Sequence, residues 1–91
     1  MLFRSSVYPN PFNPSTRLVL ALKEPGTLCL DIYNARGQKV RQLFSSDLPA
    51  GEHTVLWDGT DASGQPVASG LYLAIAKTGT HQAIRKLMLI K

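Results

Sequence analysis

EHTVLWDGTDASGQPVASGLYLAIAK, residues 52–77, joins two strand-like segments through a loop that cannot be helical. Residues 52–58 alternate: His53, Val55 and Trp57 fall on one face, Thr54 and Leu56 on the other. A period of two is the mark of a β-strand. Residues 71–77 also alternate, but both faces are apolar, with Leu71, Leu73 and Ile75 set against Tyr72, Ala74 and Ala76. That pattern predicts a strand inside a sheet. Between them lies a run rich in Gly, Asp and Ser that contains Pro66 and reads as a structured loop. Trp57 is the largest apolar side chain in the sequence and belongs in the core.

The same period extends in both directions. Leu18, Leu20 and Leu22 alternate with Val19 and Ala21. After the turn signal Glu24-Pro25-Gly26, Leu28, Leu30 and Ile32 share one face, while Cys29, Asp31 and Tyr33 share the other. Asp31 marks that second face as the wetter one. Asn34 and Gly37 suit a tight hairpin turn into "KVRQLF". Val40 is the expected core residue there. The spacing of three from Val40 to Leu43 breaks simple alternation and calls for a bulge or a strand end, with one helical turn as the competing reading. "SSDLPAG" reads as the next loop, and a turn at Gly79 leads into the last strand, "QAIRKLMLI". The sum is an all-β, antiparallel two-sheet sandwich of about six to seven strands, immunoglobulin-like or fibronectin-like. Leu18, Leu20, Leu30, Ile32, Val40, Val55 and Trp57 are expected to be largely buried.

Residues 1–15 read as a proline-rich lead-in from a preceding domain, and residues 16–91 as the sandwich. Pro9, Pro11 and Pro14 make up half of the six prolines. Proline fixes φ and disfavours the α region in the residue before it, so residues 8–14 are extended or turning.

With 91 residues the chain is one domain at most. The formal net charge is +4, but the ten basic residues are scattered and Arg85-Lys86 is their longest run. Nucleic-acid binding needs such charges gathered on one face, so it is not expected. A single cysteine, Cys29, permits no intrachain disulfide. No run of 18 apolar residues is present, so no transmembrane segment is expected.

No catalytic constellation emerges. His53 and His81 lie in different segments without ligand-spaced partners. No serine sits in Gly-x-Ser-x-Gly. Asp58 and Asp61 share a turn-rich loop, where short carboxylates cap backbone amides. A weak calcium loop is the other reading of these carboxylates with Thr60 and Ser63, although the spacing is not that of an EF-hand. The chain is read as non-enzymatic, with no cofactor and no resident metal.

"YPNPFNPST" at 8–16, "LCLDIYNARGQKVRQL" at 28–43, "AGEHTVLWDGTDASGQPVASGLY" at 50–72 and "KLMLIK" at 86–91 together resemble one family. It is the bacterial C-terminal β-sandwich family, which includes type IX secretion C-terminal sorting domains and the related Ig-like domain of the flagellar hook-capping protein. The motif residues are Pro9, Asn10, Pro11 and Phe12, then Asn34 and Gly37, then Trp57, Asp58, Gly59, Asp61, Gly64, Gly70 and Tyr72. The resemblance implies a non-enzymatic accessory domain of an exported protein, secreted or held at the cell surface, that acts as a type IX sorting module. Its partners would be the preceding domain of the parent protein and secretion machinery at the outer membrane. Arg85, Lys86, Leu87, Met88, Leu89, Ile90 and Lys91 form the candidate sorting strand. The alternatives are a passive spacer or protein-interaction module beside a catalytic domain, or a scaffold domain of the hook-capping type.

Overall fold

The computed structural model describes the backbone of residues 3–8, 15–79 and 81–90, with side chains described from residue 15 onward. The prolines at 9, 11 and 14 therefore lie outside the described residues, as do Asn10, Phe12 and Lys91. Among the described residues seven strands run in chain order: β1 (Phe3–Tyr8), β2 (Thr16–Leu22), β3 (Gly26–Asn34), β4 (Lys39–Leu48), β5 (Gly51–Trp57), β6 (Gly70–Thr78) and β7 (His81–Leu89). They form a three-stranded sheet, β1-β2-β5, facing a four-stranded sheet, β4-β3-β6-β7. All the strand pairings are antiparallel. Part of the lead-in, residues 3–8, is thus a strand that pairs with β2 from Phe3↔Leu22 to Tyr8↔Arg17.

The core is the interleaving of the two inner faces. Leu18 and Leu20 from β2 and Trp57 from β5 meet Leu28, Leu30 and Ile32 from β3, Tyr72 from β6, and Leu87 and Leu89 from β7. β6 lies between β3 and β7, the central place that its two apolar faces predict. Its inner positions, Ala74 and Ala76, are small. They line one narrow gap with Leu18 and Leu20 of the opposite sheet. Small residues on a central strand let the facing leucines reach the mid-plane, where packing is closest.

Val40 and Val55 differ from expectation: both are half-buried and pack on the margin of the core. The cause is position. β4 and β5 are edge strands, each covered on one flank only. β4 is also irregular. Leu30 pairs with Phe44 and Asp31 with Gln42, so Leu43 is skipped; Ile32 pairs with Arg41 and Tyr33 with Lys39, so Val40 is skipped. Two bulges therefore account for the three-residue spacing, and no helical turn is present. β4 also runs on to Leu48, so "SSD" is strand and not loop. Its outward side is solvated, and a solvated edge needs no apolar alternation.

Asp31 is the second correction. It occupies the outer face of the four-stranded sheet, yet it is 8% exposed. Beyond the bulge, Lys39 brings its ammonium to within 3.4 Å of the Asp31 carboxylate.

This core makes a direct prediction. Leu30→Ala should destabilise the fold by about 2–5 kcal/mol. Leu56→Ala, at a side chain 63% exposed, should change stability by less than about 0.5 kcal/mol. Urea unfolding followed by Trp57 fluorescence checks both, and equal losses would contradict this assignment of inside and outside.

Candidate functional site

The motif residues that the structure describes gather at one end of the sandwich, around the long β5–β6 loop. Two aromatic side chains fasten it. Trp57 is fully buried at the end of β5, and its indole Nε1–H donates to the Thr60 carbonyl at 2.9 Å. Tyr72, near the start of β6, meets the Trp57 ring edge-on, with centroids 5.3 Å apart and an interplanar angle of 81°. Its hydroxyl donates to the Ala68 carbonyl at 2.6 Å. Each aromatic body is in the core and each polar tip holds one arm of the loop. The Tyr72 contact is the tyrosine corner found in many immunoglobulin-like sandwiches. Burial raises the pKa of the Tyr72 phenol above its ordinary value of 10.0.

Between these fasteners the loop is held by side chain to backbone hydrogen bonds. The Asp58 carboxylate accepts from the Thr60 hydroxyl at 2.5 Å and the Thr60 amide at 3.2 Å. Asp61 accepts from the Ser63 amide, the Ser63 hydroxyl and the Gln65 amide at 3.0, 2.8 and 3.0 Å. The hydroxyl of Thr60 lowers the Asp58 pKa most, and that of Ser63 does the same for Asp61. Arg41 reaches in from β4: its guanidinium donates to the Thr60 hydroxyl at 2.9 Å and lies 3.9 Å from Asp58. In the sequence nothing separates Arg41 from the other scattered basic residues. Only the bulge register of β4 aims it at the loop.

The turn motif of this loop occurs twice in the chain. "NARGQ" at 34–38 and "DASGQ" at 61–65 have the same form. They fold into the same turn. In the first, the Asn34 side-chain oxygen accepts from the Arg36 and Gln38 amides at 3.0 and 2.9 Å. The fourth residue is a glycine with φ of +84° at Gly37 and +86° at Gly64. In both, the first residue's amide donates to the fifth residue's carbonyl at 2.9 Å, and the glycine amide donates back to the first residue's carbonyl at 3.0 Å. The Ala62 amide donates to the Val40 carbonyl at 3.3 Å, which ties the second turn to the strand leaving the first. A comparison of the two pentapeptides would have revealed the match.

No group of three or more His, Cys, Asp or Glu side chains able to hold a metal ion occurs among the described residues. His53 contacts the Pro49 carbonyl at 2.8 Å, and the Cys29 sulfur lies 3.4 Å from the Ser45 hydroxyl. The candidate sorting strand ends beside this loop, with Leu87 opposite Tyr72 and Leu89 opposite Gly70. Residues 85–89 fall in β7, the edge strand of the four-stranded sheet. Leu87 and Leu89 are buried, whereas Ile84, Met88 and Ile90 are 47%, 40% and 51% exposed.

A three-on-four sandwich with a tyrosine corner and a fastened β5–β6 loop defines an immunoglobulin-like domain. The model of the FlgD Ig-like domain matches residues 10–82, and the chain belongs to that family. The hook-capping protein FlgD from Xanthomonas campestris is 32% identical over 96% of this chain and 64% of its own, with a TM-score of 0.61. The dimeric latent form of PorU from Porphyromonas gingivalis gives a TM-score of 0.75 at 17% identity over 98% of this chain. PorZ, described as an essential bacterial surface component of the type IX secretion system of the same organism, gives 0.60 at 22% identity over 96%. This chain spans only 9% of the PorU chain and 11% of the PorZ chain. No curated protein sequence matches it.

Two outcomes follow for this loop. Tyr72→Phe keeps the ring and loses the bond to Ala68, so it should cost about 1 kcal/mol, a fall in Tm of roughly 4–8 °C. Amide exchange should speed up in the loop before it does in β3. Thermal melts and hydrogen exchange read these effects, and an unchanged loop would remove Tyr72 from its role.

The second outcome concerns pH. Both aspartates have lowered pKa values, so their stabilisation is complete above the ordinary carboxylate value of 3.8 and is lost as pH falls through the lowered folded values. Asp61→Asn should keep the turn, because Asn34 already forms it, and should flatten the acid-side fall in Tm. Circular-dichroism melts of the two proteins across the acid range decide this.

Proposed function

We propose that this chain is an export and surface-sorting module of a larger bacterial protein, secreted or held at the cell surface. The observation that carries this reading is β7. It is an edge strand of the four-stranded sheet, and it bears exposed apolar side chains at Ile84 and Met88. An edge of that kind can accept a further strand from a transport receptor. The likeness to PorU and PorZ supports the reading through the shared fold. On this proposal the lead-in at residues 1–15 joins the module to a preceding domain, and residues 85–91 are the strand the machinery reads.

A second reading has its own support. The family match and the 32% identity to FlgD of Xanthomonas campestris favour a scaffold domain of the hook-capping type. The two readings part in a secretion assay on the parent protein in a type IX-competent bacterium. Intact protein, full-domain deletion and truncation after residue 84 are compared, with cargo folding checked in each. Sorting predicts that both deletions strand folded cargo inside the cell. Normal export of folded cargo without the domain would sink the sorting reading and leave the scaffold role.

A further inference from the structure

Two buried polar atoms, Asp31 Oδ1 on β3 and Arg41 Nε on β4, make no hydrogen bond to any described residue. They belong to opposite charges on neighbouring strands, one step apart in register: Asp31 pairs with Gln42, and Ile32 with Arg41. A buried polar atom without a hydrogen bond in a native fold calls for an explanation. A buried carboxylate also needs a counter-charge. Arg41 does not supply it, because its guanidinium donates to the Thr60 hydroxyl and lies beside Asp58 in the β5–β6 loop. Lys39 supplies it, from 3.4 Å.

A competing pairing lies one step away. No residue of β4 is fully buried, so burial fixes its register weakly. The bulge that skips Val40 lies between Ile32 and Tyr33. Moved to the step between Leu30 and Asp31, it would set Val40 opposite Ile32 and Arg41 opposite Asp31. The pairs Tyr33↔Lys39 and Leu30↔Phe44 would stay as they are. That arrangement gives Val40 an inward place and Asp31 a cation directly across the strands, and each is favourable by itself. Its cost falls on the β5–β6 loop. Arg41 would turn to the outer face, away from Thr60, and the Val40 carbonyl would leave the Ala62 amide that now donates to it.

We infer that Lys39 is a positioning residue that settles this choice: by satisfying Asp31 it leaves Arg41 to the β5–β6 loop and keeps the bulge at Val40. The ion pair is then a selector of register more than a source of stability, the role in which buried charge pairs are best attested. Amide exchange on the isotopically labelled chain, followed by NMR, tests it. Lys39→Met deletes the charge and keeps an unbranched side chain. Asp31 should then capture Arg41, and the Ala62 amide should exchange at least about tenfold faster while amides of the β2–β5 pairing keep their rates. Adding Asp31→Leu to Lys39→Met removes the attraction and should return Ala62 to its original rate, a rescue that a merely structural role for Lys39 does not produce. Asp31→Leu alone should leave the Ala62 rate unchanged, and it carries the test if Lys39→Met does not fold. Three results would overturn the proposal: an unchanged Ala62 rate in folded Lys39→Met, no rescue in the double variant, or a tenfold faster Ala62 rate in Asp31→Leu alone.

Discussion

The contact on which the rest depends is that of Trp57 with Tyr72. Their rings meet edge-on at 5.3 Å inside the core, and their polar tips leave it in opposite directions along one loop. That loop carries the chain from the three-stranded sheet to the four-stranded sheet. Its path sets the height at which β6 enters beside β3, and hence the register from Leu28↔Thr78 to Asn34↔Tyr72. A one-residue slip there would turn Tyr72, Ala74 and Ala76 outward and drive Leu71, Leu73 and Ile75 into the core. Because both faces of β6 are apolar, hydrophobic patterning alone discriminates weakly between the two registers. The aromatic pair and its two hydrogen bonds supply the discrimination.

The twin turns serve the same end of the molecule by a different means. Asn34 and Asp61 each satisfy two backbone amides that would otherwise depend on water. The left-handed glycine that closes each turn is what a three-residue hairpin connection with a bulge requires. In Gly37 and Gly64 no atom lies within 4 Å of an added Cβ, so the demand for glycine there is conformational and not steric. The same chemistry placed twice, and joined through Ala62 and Val40, gives the β3–β4 and β5–β6 connections a common rigid base.

Much of this was legible in advance because alternation is a strong signal wherever one face is buried. Leu18, Leu20, Leu30, Ile32 and Trp57 are inside, as their period of two predicts. The misplaced residues share a cause. Val40, Val55 and the "SSD" segment belong to edge strands, where half-burial and bulges blur the pattern. The burial of Asp31 is not legible in the sequence, because its ion-pair partner, Lys39, arrives only through a register shift that pairing creates. Arg41 was overlooked for the same reason. The fastened loop was recognisable from Trp57, its glycines and Tyr72. The outer face was not, since an apolar residue on a central strand carries no mark of which side it will take.

The directions of the first and last strands have a mechanical consequence. β1 runs from Phe3, opposite Leu22, to Tyr8, opposite Arg17. β7 runs from His81, opposite Thr78, to Leu89, opposite Gly70. Both travel toward the end of the sandwich that holds Trp57, and they contact each other along the way. Tension applied ahead of Phe3 and behind Leu89 therefore acts along the strand axes. It loads the β1–β2 and β6–β7 hydrogen bonds together in shear, not one after another as in unzipping. A sandwich pulled in this way behaves as a stiff link, and its resistance resides in its first and last strands.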